Sequence, residues 1–289
     1  MDFRTVVSIP KERLFQIPPC EKMLFVGSCF ADNIGQRFLQ EQFRAVVNPF
    51  GVMYNPASIL HSVQRLSTEV VPNVAVLTLG TNHVYRWKAT DEIVDNCAKR
   101  PQSLFREENL LMEACADYLT QTILLLRLRN PLVKVIFTVS PIRYAKYGFH
   151  GSQLSKATLL LAVEDVVRTL HTGESPVCYF PAYEIVNDEL RDYRFYKEDM
   201  LHPSEQAVEY IYQRFAETFF SKETFLFLQE WKPIREALGH RPFNPDSVEY
   251  RDFIDRTMGK IRLLAAHYPM WEADTVMSQA MRLASSTST

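Results

Sequence analysis

Met23-Leu24-Phe25-Val26-Gly27-Ser28-Cys29-Phe30-Ala31 is the stretch on which the fold turns. Four apolar residues suited to a buried strand run into a glycine and two small nucleophilic side chains. Beyond them Ile34, Phe38 and Leu39 recur at helical spacing. The stretch reads strand, tight turn, helix. A turn of this kind lifts a small nucleophile above the sheet edge and aims the N–H groups of a helix start at a developing oxyanion.

Outward from this unit, short apolar runs alternate with amphipathic stretches, the signature of βα units around a parallel sheet. Runs rich in β-branched and aromatic residues predict five strands, at 23–26, 45–47, 74–79, 133–139 and 177–180. The intervening periodicity predicts helices over 31–42, from Asn55-Pro56 onward, and over 107–128, 153–170 and 204–220. In the last of these Val208, Ile211, Tyr212, Phe215 and Phe219 form one apolar face, with Ser204 as N-cap. The expected class is therefore α/β, with a five-stranded parallel sheet between helical layers over residues 1–221. From 222 the strand signal stops. Residues 225–231 and 245–268 read as helices joined by Gly239-His240-Arg241-Pro242, a C-terminal helical extension over 222–289 packed on the body. Its aromatics Phe225, Phe227, Trp231, Phe243, Tyr250 and Phe253 are expected to pack on that body rather than to form a second core. The small polar tail 285–289 reads as frayed.

Composition limits the function classes. The 289 residues are 47% hydrophobic and 23% charged, ordinary globular material with enough length for a large core. Thirty-two basic and 34 acidic residues are mixed along the chain for a net charge of -2, which leaves no electrostatic footprint for nucleic acid or an anionic membrane. No apolar run approaches the ~20 residues of a membrane span. The first residues carry no apolar signal-peptide core, so the expected compartment is the cytoplasm. Cys20, Cys29, Cys97, Cys115 and Cys178 are scattered, giving neither a disulfide framework nor a metal-binding pair.

The chemistry gathers in four places. Ser28 and Cys29 are both candidate nucleophiles, and either is activated by a histidine and the positive end of the following helix. Far downstream, Asp199-Met200-Leu201-His202 sets an aspartate three residues before a histidine, so that one short loop presents the imidazole while the carboxylate fixes its tautomer. Gly51, beyond Asn48 and the second strand, offers a backbone N–H without a Cβ in the way. Asn82, after the third strand, offers a side-chain N–H₂. These two are the expected oxyanion hole, whose donors come from different loops at one sheet edge. His83 beside Asn82, and Arg143 at the end of the fourth strand, are the expected substrate contacts. All lie where a parallel sheet gathers its ligands, at strand carboxyl ends.

The order Gly-x-nucleophile, Asn…Gly, Gly-x-Asn and Asp-x-x-His resembles the four blocks of the SGNH/GDSL hydrolase superfamily. Within it, residues 25–30 together with Val47-Asn48-Pro49-Phe50-Gly51, Thr78-Leu79-Gly80-Thr81 and Val139-Ser140-Pro141-Ile142-Arg143 resemble the GSCFA family, over roughly residues 20 to 220. The resemblance implies a flavodoxin-like three-layer α/β/α sandwich and ester or acyl chemistry without a cofactor or metal, on a small-molecule or carbohydrate ester. Superfamily members read Gly-Asp-Ser, and laying that on Gly27-Ser28-Cys29 without a gap puts Cys29 at the nucleophile, with Ser28 second. Acyl transfer to a carbohydrate is the runner-up activity. A silent carbohydrate or acyl-group binding module is the alternative of a different class. Oligomeric state and natural substrate are not readable from the residues.

Overall fold

The computed structural model describes residues 5–9, 15–244 and 247–285. The chain divides into two compact units. The first holds Glu21–Gln40 and Arg44–Phe219, and the second holds Gln16–Cys20, Glu41–Phe43 and the chain from Phe220.

The first unit runs β1 Lys22–Gly27, α1 Cys29–Gln40, β2 Arg44–Val47, α2 Pro56–Gln64, β3 Val74–Leu79, β4 His83–Trp87, β5 Ile93–Val94, β6 Phe105–Asn109, α3 Met112–Arg129 and β7 Lys134–Val139. It continues with α4 Gly148–Leu170, β8 Val177–Tyr179, α5 Ala182–Glu184 prolonged by a π-helical stretch Ile185–Leu190, and α6 Glu205–Phe219. Five strands form a parallel sheet in the order β2-β1-β3-β7-β8. They are the five expected strands, each within a residue or two of its expected ends.

The sheet is buried on both faces, which is why its strands read as continuous apolar runs. Leu24, Val26, Ala75, Leu77, Val135, Phe137 and Val139 point to one face and share a core with Ile59 and Val63 of α2, Leu119 and Ile123 of α3, and Leu159, Val163 and Val166 of α4. On the other face Phe25 meets Phe38 of α1 at 4.9 Å between ring centroids, and Phe38 meets Phe215 of α6 at 5.5 Å. The architecture is a three-layer α/β/α sandwich. Local chemistry marks the helix starts. Asn55 caps α2 by accepting from the Ser58 N–H at 2.9 Å, with Pro56 in the first turn. Ser204 accepts from the Ala207 N–H at 3.3 Å, the expected cap of α6.

The structure departs from one expectation and adds an element. The helix read over 107–128 begins only at Met112, because Phe105–Asn109 is a strand. It pairs antiparallel with β4 in a separate three-stranded ribbon, β5-β4-β6, that the sequence reading did not foresee. Phe105-Arg106-Glu107-Glu108-Asn109 has the charge of a helix surface. Its charges pair instead with β4, Arg86 to Glu108 at 2.7 Å, and with the turn beyond it, Arg106 to Asp91 at 2.9 Å.

The second unit carries α7 Lys222–Gly239, α8 Val248–His267 and α9 Asp274–Ser285, the last not expected. Contrary to the expectation for the C-terminal aromatics, Phe227 and Trp231 lie in a core of this unit with Ile234, Ile261, Leu264, Tyr268, Trp271, Val276 and Ala280. The unforeseen helix supplies Val276 and Ala280 to this core, in which Trp231 meets Trp271 edge-on at 5.6 Å. Phe225 and Phe243 are exposed. Residues 245, 246 and 286–289, parts of the expected helix and of the tail, lie outside the described residues.

Candidate active site

The turn between β1 and α1 is fixed by close packing. Gly27 has φ +148°, and a Cβ there would sit 2.1 Å from the Thr78 carbonyl oxygen, so only glycine lets β1 end this close to β3. The Gly27 N–H donates to Asn48 Oδ1 at 2.8 Å, and Asn48 Nδ2 donates to Asp32 Oδ1 at 2.6 Å. The Ser28 N–H donates to the Thr78 carbonyl at 3.1 Å. Ser28 is buried, and its Oγ accepts from the Phe30 N–H at 3.3 Å, a helix-start contact. Cys29 is half-buried and opens α1, so its N–H has no intrahelical carbonyl to reach. Its Sγ lies 3.5 Å from the Tyr54 hydroxyl.

The Asp199–His202 loop is a tight hairpin. The Lys197 N–H donates to the His202 carbonyl at 2.7 Å, and the Arg143 N–H donates to the Leu201 carbonyl at 3.1 Å, tying the loop to the segment after β7. Met200 takes φ +57°, the left-handed step that turns the chain between the two polar residues. Asp199 Oδ1 accepts from the N–H groups of Leu201 and His202 at 2.9 and 3.0 Å, and Oδ2 pairs with His202 Nδ1 at 2.6 Å. The backbone donors of His202 and Leu201, then the imidazole, hold the Asp199 carboxyl down to about 2. With Nδ1 tied to a carboxylate, Nε2 is the nitrogen left for proton transfer.

These two loops meet at one pocket of about 270 Å³, lined by Ser28, Cys29, Tyr54, Gly80, Arg143 and His202 and by the Ser140–Lys146 segment. It lies outside the carboxyl ends of β1, β3 and β7, where strand order reverses about β1. Ser28, Cys29, His202 and Arg143 are thus brought together, with Asp199 behind His202. Arg143 also donates from Nη1 to Asn187 Oδ1 at 3.1 Å, in the π-helical stretch.

The other three expected site residues do not line this pocket. The Gly51 N–H is engaged in its own turn, donating to the Asn48 carbonyl at 2.9 Å. Asn82 is buried, its Nδ2 donating to the Leu110 carbonyl at 2.8 Å and its N–H to Ser155 Oγ at 2.9 Å, so it ties β4 to β6 and α4. His83 stacks on Tyr147 with ring centroids 3.6 Å apart, and burial lowers its pKa.

Sequence reasoning missed Lys156. It is buried on α4, and its Nζ donates to the carbonyls of Gly80 at 2.6 Å and Ser140 at 2.8 Å, clamping the ends of β3 and β7 beneath the pocket. Burial first, then the Arg143 charge, lowers its pKa to about 7. The available signal was a lysine on the stripe Ser152, Lys156, Leu159, Val163 and Val166, where the periodicity places the buried face. Tyr54, three residues beyond Gly51, also lines the pocket.

Among the described residues no group of three or more His, Cys, Asp or Glu side chains is placed to hold a metal ion, and no helix is long and apolar enough to cross a membrane. A model of the GSCFA family matches residues 22–74 and 69–215, and a model of the GSCFA domain protein C-terminal domain matches 231–278. No curated protein matches in sequence. Among solved structures, an acetyl esterase mutant with acetate ion is 14% identical, over 72% of this chain and 99% of its own, with a TM-score of 0.44. A family 3 carbohydrate esterase from Talaromyces cellulolyticus is 13% identical, over 72% and 98%, with a TM-score of 0.43.

Proposed function

The chain belongs to the GSCFA family, and from that premise and the pocket we propose that it is an SGNH-type hydrolase of ester bonds with Cys29 as nucleophile, His202 as base and Asp199 as its orienting carboxylate. One observation carries the reading: the helix-start thiol and an imidazole held by a carboxylate at 2.6 Å line a single pocket. Between the two nucleophiles, burial and the Phe30 contact give Ser28 the part of turn former, and the half-exposed Cys29 faces the pocket.

The reaction is a double displacement. His202 Nε2 takes the thiol proton as Sγ attacks the acyl carbon, and the carbonyl electron pair moves onto oxygen. Collapse of the adduct breaks the bond to the alcohol oxygen, which receives the proton from His202. Water, deprotonated by the same imidazole, then releases the acid and restores the thiol. Arg143 on the pocket wall suits a polar or anionic substituent on the substrate.

The test is a panel of p-nitrophenyl esters with and without chelator. We expect hydrolysis that chelator leaves intact, with the acyl group trapped on the peptide carrying Cys29. Iodoacetamide should label Cys29 ahead of the other four cysteines. Cys20, Cys115 and Cys178 are buried, burial pushes the Cys115 thiol up to about 12, and burial raises Cys97 as well. No turnover across the panel, or an acyl group on Ser28, would overturn the assignment.

A further inference from the structure

An acyl-transfer site needs donors within about 3 Å of the place its oxyanion will occupy, and loss of one such donor costs about 10²–10³ in rate. The two donors expected from sequence are engaged elsewhere: the Gly51 N–H on the Asn48 carbonyl and the Asn82 Nδ2 on the Leu110 carbonyl. Several other N–H groups at the pocket are engaged too, although the Arg143 Nε has no partner. The Gly80 and Thr81 N–H groups both donate to the Tyr54 carbonyl at 2.8 Å, and Lys156 Nζ is held by two carbonyls. Lys146 Nζ binds Glu107 at 2.9 Å.

We propose that the Tyr54 hydroxyl is a further catalytic residue, an oxyanion donor that completes, with the Cys29 N–H, the hole that Gly51 and Asn82 leave unfilled. The assignment rests on the ester-hydrolase reading. Its hydroxyl lies 3.5 Å from Cys29 Sγ, and both residues line the pocket. An oxygen on the carbon that Sγ attacks therefore falls within reach of the phenol. The residue is fixed by its backbone. Its carbonyl accepts from Gly80 and Thr81, and the preceding Met53 N–H donates to the Gly27 carbonyl at 2.8 Å, so Tyr54 is bound to the ends of both β1 and β3. Its ring faces Tyr144 with centroids 6.2 Å apart, which limits its swing. Burial, then the neighbouring Cys29, pushes the phenol above its ordinary value, and it stays a donor through the neutral range. The phenol gives a hydrogen bond to the oxyanion and keeps its proton; the proton of the thiol goes to His202 as before.

The experiment compares two reactions of Cys29 in the wild type and in Tyr54→Phe. Acylation by p-nitrophenyl acetate builds an oxyanion, whereas alkylation by iodoacetamide needs the same thiolate and builds none. We expect acylation to fall by about 10²–10³, with KM little changed, while alkylation of Cys29 keeps its wild-type rate and the urea midpoint is retained. Equal slowing of both reactions would overturn the proposal, since Tyr54 would then act through the thiol. Wild-type acylation in Tyr54→Phe would overturn it by showing a passive wall. Failure of the wild type itself to acylate would sink the hydrolase reading, and the proposal with it.

Discussion

Two turns leave neighbouring parallel strands at the same sheet edge, and they end in opposite conditions. At Gly27-Ser28-Cys29 the Gly27 and Ser28 N–H groups are satisfied from outside the turn, by Asn48 and Thr78, and the Cys29 thiol and N–H are left at the pocket. At Asn48-Pro49-Phe50-Gly51 the turn closes on itself, with the Gly51 N–H bonded to the Asn48 carbonyl at 2.9 Å. Asn48 is the link. Its φ of +38° and its side chain support the first turn, and its carbonyl engages the second. A donor in a suggestive motif is available to chemistry only when its local partners leave it unpaired.

The largest effect tests the first turn together with the loop that serves it. Removing the imidazole in His202→Ala should abolish Cys29 acylation, a loss on the order of 10⁴–10⁶. Asp199→Asn is the more informative variant. Its side-chain oxygen still accepts from the Leu201 and His202 N–H groups, so the loop keeps its shape. The new N–H₂ then faces His202 Nδ1, reverses the tautomer, and should slow the reaction by up to about 10⁴ in an otherwise folded protein. Stopped-flow acylation and circular dichroism on the same samples separate the two. Wild-type rates in His202→Ala would mean that the loop has no part in the chemistry, and the contrast between the turns would lose its functional meaning.

This contrast also sorts what the residues disclosed from what they withheld. The five parallel strands were legible because burial on both faces of the central strands leaves apolar runs such as Val74–Leu77. The Asp199–His202 pair was legible because its geometry is local, a three-residue spacing on one loop. What stayed hidden depends on contacts distant in sequence. Asn82 reads as a free amide until Leu110, 28 residues away, is folded beside it. The strand Phe105–Asn109 has helical composition and becomes a strand through pairing with His83–Trp87. Lys156 stands on the buried stripe of its helix, but its carbonyl partners at Gly80 and Ser140 lie 76 and 16 residues away.

A smaller effect probes the floor on which the first turn stands. An ordinary lysine value of 10.5 falls to about 7 for Lys156, by burial and then by Arg143. Between those values the unfolded chain holds a proton that the folded one lacks, so stability rises with pH across that window. At about 1.4 kcal/mol for each unit of pKa difference, the gain is about 2 kcal/mol from about pH 7 to about pH 9. Urea unfolding should show this rise in the wild type and lose it in Lys156→Met. Parallel curves for the two proteins would mean that the two carbonyls hold the ammonium charged, and that the floor carries a fixed positive charge under the pocket.

The smallest effect is the sharpest test of the contrast, because it is expected at a residue the motif marks as functional. Gly51 has φ +86°, in the left-handed region, and a Cβ added there meets nothing within 4 Å. Gly51→Ala should therefore cost about 1 kcal/mol of stability through backbone strain alone. Its N–H would stay on the Asn48 carbonyl, as it is now, so kcat/KM for an activated ester should not change. A donor that served the oxyanion would behave otherwise, since small displacements in such a site carry rate losses of about 10². Were Gly51→Ala to lower kcat with KM unchanged, the second turn would have to open during catalysis and swing its N–H to the substrate. The difference between the two turns would then be one of timing, with the Asn48–Gly51 bond as the closed state of a hole that substrate completes.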